Sequence, residues 1–357
     1  MVKIVIPFIL YFFCYSALKK IIPFLHKNSL LDHPSSRSNH EQSMPKGGGI
    51  ILIPAIIISI SLYFFIENTI NTKWIVFLLS IFFLFLLSLV DDIKSLPAIL
   101  RLILHALCVI VSVYYMRDDI ISFINNTDII IKLNLNDSLL FYLLASFIIF
   151  SWLWLINLFN FMDGMDGLTA LQMIFLALTV NIISLMNYFD KDFQFLGLVI
   201  FSAFLAFFRH NKPSAKIFLG DSGSIPSGYI AGFVLIESFF KQGPFFSILI
   251  ILMYFILDST ITLFFRSIKN NNLLTAHSDH FYQKMIRKGY SHHYVLRKIL
   301  FLFIFLILLS FISLKYHLIS FALALLGTIL FFLHTYINMS GLGLGFKLLL
   351  GEQIILN

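Results

Sequence analysis

The chain has 357 residues, of which 59% are hydrophobic and only 12% charged, and its mean hydropathy is +0.92. A soluble domain carries about 25% charged residues, so the polar material here is too sparse for a water-facing surface, and lipid is the solvent this composition fits. The net charge of +7 is scattered over short loops and builds no basic soluble domain, which excludes a nucleic-acid-binding protein.

A helix of about 20 apolar residues crosses a bilayer. In chain order, eleven candidate runs lie near 2–24, 47–66, 73–90, 97–116, 138–156, 168–187, 193–208, 225–240, 244–264, 298–314 and 317–337. No small-residue cleavage site follows the first, which is therefore predicted to stay as a span. The expectation is an all-α polytopic membrane protein of about 11 transmembrane helices, one domain over residues 1–357 with no internal repeat. Between the fourth and fifth runs, the partial alternation of DIIIKLNLND, 128–137, predicts a short strand or hairpin. Cys14 and Cys108 sit in separate apolar runs and suggest neither a disulfide nor a metal site. Alternating crossings gather the loops 25–46, 91–96, 157–167, 209–224 and 265–297 and the C-terminal tail on one side. With adjacent helix ends that side holds 18 of the 25 Lys and Arg. The positive-inside rule makes it cytoplasmic, with the N-terminus outside and the C-terminus cytoplasmic.

Nearly every unusual polar cluster falls on this same side, and ionisable groups at span ends mark a pathway or a site. KGGG, 46–49, either lets backbone approach a phosphate or permits close helix packing. In VDDIKS, Asp91 and Asp92 diverge by about 100° on a helix and cannot treat one small ion alike. A division of labour follows, one carboxylate acting as base and the other orienting a metal or Lys94. In NLFNFMDGMDG, the side chains of Asn157, Asn160, Asp163 and Asp166 recur every three residues, which on an unbroken helix drifts about 60° per step. Gly164 and Gly167 predict a frayed end that turns these oxygens towards one cavity. Such hard donors suit Mg²⁺ or the edges of a nucleotide.

KIFLGDSGSIP has a similar grammar: Gly220 and Gly223 for tight turns, Ser222 or Ser224 as cap, and Pro226 for the first turn of the next span. A helix start favours anions, so Asp221 there implies an intervening cation, such as Mg²⁺ bridging it to a diphosphate. His277 and His280 read better as phosphate contacts than as zinc ligands, because no Cys or Glu completes a zinc site. Phe281, Met285 and Ile286 predict a short helix on the membrane surface. His292 and His293 read as surface residues, and GLGLG at 341–345 as a tail turn. On the residues alone, three classes stand open: phosphoryl transfer to a lipid phosphate, a transporter or flippase of an anionic solute, and a lipid-diphosphate phosphatase. A transporter would carry its polar groups near the bilayer midplane in two related halves.

From residue 32 to about 300 the chain resembles the polyprenyl-phosphate N-acetylhexosamine-1-phosphate transferases, glycosyltransferase family 4. The likeness rests on DHPSSRSNH…PKGGG, VDDIKSLPAILRLILH, NLFNFMDGMDG, NKPSAKIFLGDSGS and AHSDHFYQ, nearest the O-antigen-initiating branch. It departs from that branch at Ser278 and Asp279, where a basic residue is expected, and in LLSLVDD, which lacks the usual glycine. The resemblance implies transfer from a UDP-N-acetylhexosamine to undecaprenyl phosphate with release of UMP, at the cytoplasmic face of a bacterial inner membrane. Mg²⁺ is the implied cofactor, with Mn²⁺ as substitute; a homodimer is compatible with it. By motif, Asp91 and Asp92 become catalytic, Asp221 and Asn160 metal ligands. Asn157, Asp163, Asp166, Phe218, His277, His280 and Lys94 then bind substrate. The acceptor phosphate is already anionic, so direct attack is the implied route ahead of a covalent aspartyl-phosphate.

Overall fold

The computed structural model describes residues 2–27, 31–32, 43–126, 136–241, 243–270 and 278–339. Its helices are α1 (Val2–Lys27), α2 (Gly48–Glu67), α3 (Thr72–Ile93), α4 (Ala98–Tyr115), α5 (Arg117–Asn125), α6 (Asp137–Met162), α7 (Leu168–Leu185), α8 (Lys191–Asn211), α9 (Asp221–Phe240), α10 (Phe245–Ile268), α11 (Phe281–Arg287), α12 (His292–Ile312) and α13 (His317–Met339). All but α5 and α11 are long and apolar enough to cross a membrane, eleven in all. The protein is thus an all-α polytopic membrane protein. A two-residue antiparallel ladder pairs Leu31 with Pro45 and Asp32 with Met44.

Every predicted span is present, but polar end-turns prolong several of them. α6 runs to Met162 because Asn157 turns its amide back onto the Leu153 carbonyl at 2.8 Å, which satisfies it within the helix. α12 starts at His292, its first turn capped by Ser291, whose hydroxyl accepts from Tyr294 N at 3.2 Å. α9 starts at Asp221, so Pro226 lies in its second turn, and neither Ser222 nor Ser224 caps it. The strand expected at 128–137 falls mostly outside the described residues. Within them, 117–125 is the helix α5, while Asn136 caps α6 by accepting from Leu139 N at 2.7 Å. GLGLG also lies outside them.

α9 is the axis of the bundle: 89% of its span is buried, against 22% for α1 and 28% for α4 and α13. Ser227, Gly228, Ala231 and Gly232 keep it slim, and small residues are what let membrane helices approach closely. Trp152 of α6 fills that approach, donating its indole N–H to the Tyr229 carbonyl at 2.9 Å. α3, α6 and α2 surround α9, so whatever the N-terminus of α9 carries is met by the ends of three other helices. That packing positions the site.

Candidate active site

The first turn of α9 has no capping side chain of its own, since Gly220 precedes it. Asp92, at the end of α3, supplies the cap: its two carboxylate oxygens accept from Asp221 N at 3.0 Å and Ser222 N at 2.9 Å. Unpaired N–H groups at a helix start attract an anion, and the helix dipole strengthens the contact. Gly220 is needed here. Its φ is +79°, and a Cβ would come within 2.9 Å of the Asp92 carboxylate. Gly49 is needed beside it, because a Cβ there would lie 2.3 Å from Gly223 N. Of the two readings of KGGG, close packing of α2 on α9 is the arrangement observed.

That packing brings in Lys46, whose Nζ lies 2.7 Å from Asp92 and 3.3 Å from Asp221. Arg101, in the first turn of α4, reaches Asp91 at 2.6 Å and Asp221 at 3.5 Å. Asp91 is further fixed by Leu96 N, which donates to it at 2.7 Å. Adjacent carboxylates therefore turn to different partners, as their angular separation on a helix requires. Three carboxylates share two cations. Burial pulls the Lys46 ammonium down, but Asp221 and Asp92 outweigh it and hold Lys46 above the ordinary lysine value. Of the three acids Asp221 is the most accessible, with 22% of its side chain exposed, against 6% for Asp91 and 10% for Asp92.

The end of α6 closes one flank. Asn160 donates its amide to Ser224 Oγ at 3.4 Å, against the first turn of α9. Asp163 lies in electrostatic range of Asp221, Lys46 and Asp92, and burial pushes its carboxyl up to about 8. Asp166 does something else. It accepts from Ala215 N at 3.0 Å and lies 3.1 Å from His292 Nδ1. Asn211 accepts from Gly167 N at 2.9 Å and donates to the Ile217 carbonyl at 2.9 Å. This second set clamps the loop between α8 and α9. His292, expected on the surface, is half-buried through that contact.

Phe218 is half-buried at the edge of the cluster, held by its backbone: its N donates to Pro45 O at 2.8 Å, and its carbonyl accepts from Gly47 and Gly48. Lys94 is exposed, and its side chain has no hydrogen bond or ion pair among the described residues. Asn157 stays folded against its own helix. His277 lies outside the described residues. His280 precedes the short helix α11, formed where the sequence predicts a surface helix, and is buried. The Tyr282 hydroxyl of α11 donates to the Phe161 carbonyl at 3.1 Å, docking α11 beside Asp163. Burial raises the Tyr282 phenol well above its ordinary value. Sequence reasoning missed Lys46 and Arg101 as partners of the acids; both stood in quoted motifs, as cations beside glycine and within an apolar run.

Among the described residues no three His, Cys, Asp or Glu side chains form a ready chelate. Mg²⁺ does not need one: it takes one or two carboxylates and completes its shell with water and substrate phosphates. Asp221, accessible and backed by the Asn160 amide on Ser224, fits that kind of site.

Residues 74–239 match the sequence model of glycosyl transferase family 4. Over 350 residues, 96% of this chain and 93% of the relative, the chain is 24% identical to a probable undecaprenyl-phosphate N-acetylglucosaminyl 1-phosphate transferase of Bacillus subtilis. It is 29% identical over 209 residues, 54% of each chain, to a phospho-N-acetylmuramoyl-pentapeptide-transferase of Prochlorococcus marinus. A third relative, 28% identical over 205 residues (57% of this chain and 56% of its own), is the undecaprenyl-phosphate alpha-N-acetylglucosaminyl 1-phosphate transferase of Thermotoga maritima. The matched region holds Asp91, Asp92, Arg101, Asn160, Asp163, Asp166, Phe218 and Asp221, and stops short of His280.

Proposed function

We propose that the chain is a membrane-embedded sugar-phosphate transferase of glycosyl transferase family 4, whose sequence model matches residues 74–239, and that it moves an N-acetylhexosamine-1-phosphate from a UDP-sugar to undecaprenyl phosphate. An oxygen of the lipid phosphate attacks the phosphorus that bears the sugar. A new P–O bond joins lipid phosphate to sugar phosphate, the P–O bond to the nucleotide breaks, and UMP leaves with that bond's electron pair. The reaction takes place at the cytoplasmic face of the bacterial inner membrane. It is the first membrane step of a cell-surface glycan, of the O-antigen type.

One observation carries the reading: three carboxylates from α3 and α9 share Lys46 and Arg101 at the end of a bundle. Two fixed cations suit a diphosphate and the charge that develops as it is cleaved. Asp91, oriented by Arg101 and Leu96 N, takes the proton of an acceptor phosphate that arrives protonated and directs its attacking oxygen. Asp92 acts through structure, holding the α9 N-terminus and Lys46 in place. Asp221, with Asn160 beside it, would hold Mg²⁺ or Mn²⁺; when bound, that ion neutralises the diphosphate. Asp163 borders the same space, Phe218 would stack on uracil, and His280 would serve the sugar-nucleotide side of the site. Asp166 shapes the site from behind by clamping the α8–α9 loop.

The charged cluster of Asp91, Asp92, Asp221, Lys46 and Arg101 sits at span ends on one side of the bundle, which disfavours a transporter with its charged site at the midplane. Purified protein in detergent, given undecaprenyl phosphate, Mg²⁺ and a panel of UDP-sugars, should release UMP only when both substrates are present. Free phosphate released from a lipid diphosphate alone, without UMP, would instead identify a phosphatase.

A further inference from the structure

Beside α11 the bundle has an open cleft of about 590 Å³ that the proposed reaction does not use. Its walls come from the last turns of α10 and α13, with Ile261 and Phe265 on one side and Ile329 and Leu333 on the other. Phe265 and Leu333 are each more than half exposed, so the cleft opens sideways to the lipid around the bundle. None of Asp91, Asp92, Asp221, Lys46 and Arg101 lines it. Consecutive residues of α11 part company here. Tyr282 reaches the Phe161 carbonyl beside Asp163, while Phe281 turns into the cleft and stacks on Phe332 of α13 at 4.3 Å. The short helix is thus a partition between the candidate active site and the cleft.

Apolar walls alone specify no guest, but the rim does. Arg266 and Lys269 end α10, Lys284 projects from the last turn of α11, and all three line the cleft. Asp279 lines it too and is paired with Arg266 at 2.5 Å. Neither lysine has an ion pair among the described residues; Lys284 lies over the Phe281 ring at 5.4 Å. Three cations against one carboxylate leave the rim positive with that pair closed. Burial pulls the Lys284 ammonium below the ordinary lysine value, and an anion at the rim would hold its charge. A soluble anion has no use for the walls, and a bare hydrocarbon has none for the cations. A guest with a phosphate at the span end and a chain below it uses both, and basic pockets between transmembrane helices take acidic lipid head groups. Tyr336, which also lines the cleft, is the kind of side chain that sits at the head-group boundary.

We propose that this cleft binds an anionic phospholipid: one acyl chain lies between α10 and α13, and the head-group phosphate bridges Lys269 at the end of α10 to Lys284 on α11. The bridge ties the helix that carries Tyr282 to the bundle, so the lipid steadies one flank of the active site without entering it. The acceptor is also a lipid phosphate, but its phosphate has to come to Asp91, and the cleft shares no lining residue with that cluster.

The test needs no turnover, so it stands or falls apart from the proposed reaction. Full-length protein, delipidated in neutral detergent, is titrated with phosphatidylglycerol, chain-matched phosphatidylcholine, undecaprenyl phosphate or inorganic phosphate. Retained lipid is read by native mass spectrometry, alongside the melting temperature. One phosphatidylglycerol per chain should be retained where phosphatidylcholine is lost, and it should raise the melting temperature where phosphatidylcholine does not. Lys269→Gln with Lys284→Gln should weaken that retention about 10- to 30-fold and leave the lipid-free melting temperature unchanged, whereas Lys269→Arg with Lys284→Arg should preserve it. Ile329→Trp, which fills the cleft and spares the rim, should expel the lipid as well; full retention there would place the lipid elsewhere and overturn the proposal. Equal retention of the two phospholipids, or unchanged retention in the Gln double variant, would do the same, because a merely annular lipid behaves so. A stabilisation by inorganic phosphate that the Gln double variant loses would make the rim a soluble-anion site. Displacement of phosphatidylglycerol by an equal amount of undecaprenyl phosphate would give the cleft to the acceptor. Either result sinks the assignment.

Discussion

The two ends of the bundle hold charge in opposite ways. At the end away from the site, a buried acid is closed off by a cation at short range. Lys73 at the start of α3 lies 2.8 Å from Glu237 and 3.3 Å from Asp119, and the Tyr63 hydroxyl donates to Asp192 at 2.9 Å. At the site end, Asp221 has no cation of its own: it shares Lys46 with Asp92 and Arg101 with Asp91, at longer distances. The first end is a clasp. The second leaves its most accessible acid under-neutralised, which is how a polar cluster looks when part of its charge partner is a ligand.

The sharpest way to break that contrast is Asp221→Asn. Turnover should fall by about 10³-fold or more, the scale of losing one principal electrostatic contact to the reacting group. The protein should keep its elution profile and melting temperature, because the helix cap comes from Asp92. Unchanged activity would end the metal-ligand role. Next in size is Arg101→Met, which leaves Asp91 facing no cation and should lower kcat/KM by about 10²-fold, read in the same UMP-release assay. If it instead unfolds the protein while leaving activity per folded molecule intact, Arg101 is part of a clasp after all.

How much of this was legible beforehand divides along a physical line. Spans depend on local composition, so all eleven could be read, and the acids could be found as carboxylates stranded at span ends. Which cation serves which acid is a tertiary matter. Lys46 pairs with Asp221 across 175 residues and Asp92 caps α9 across 129, and no spacing rule reaches so far. Asp163 and Asp166 share one motif yet part company, because the chain bends after Met162 and sends Asp166 to the α8–α9 loop. Asp258 of α10, whose Oδ1 lies 3.2 Å from His280 Nδ1, had a readable signal, a lone carboxylate inside an apolar run, but nothing in the run names His280 as its partner.

Asp166→Ala is expected to act mainly on binding. It frees Ala215 N and His292, loosening the loop that leads to Phe218, so KM for the UDP-sugar should rise several-fold while kcat changes less. Equal losses in kcat would place Asp166 on the reacting groups instead. For the metal-free protein, Asp163 gives a pH signature. Its carboxyl is raised from 3.8 to about 8 in the folded state, so folding favours the protonated form. The stability this group contributes is complete below about pH 4 and is lost as pH rises through about 8. Thermal melts across that range should fall with pH in the wild type and fall less in Asp163→Asn. Parallel curves would mean that the carboxyl is ionised throughout.

The smallest effect on activity belongs to the clasp, and there the expected damage is of another kind. Glu237 is 3% exposed and its side chain meets Lys73 between α3 and α9. Lys73→Met strands that acid in the bundle, and breaking a buried pair by removing one partner costs about 3–5 kcal/mol. The melting temperature in detergent should drop by several degrees, whereas kcat/KM at low temperature should stay within about twofold, since no charge at the reacting end has changed. Adding Glu237→Gln removes the stranded charge and should return most of the lost stability. A rescue of this sort is what a closed pair allows, and it is the outcome that the shared cluster should refuse: neutralising Asp221 together with Arg101 would remove two charges that the substrate itself is meant to meet, and activity should stay lost. If the double variant at the clasp fails to recover while the double variant at the site does, the two ends have been assigned the wrong way round.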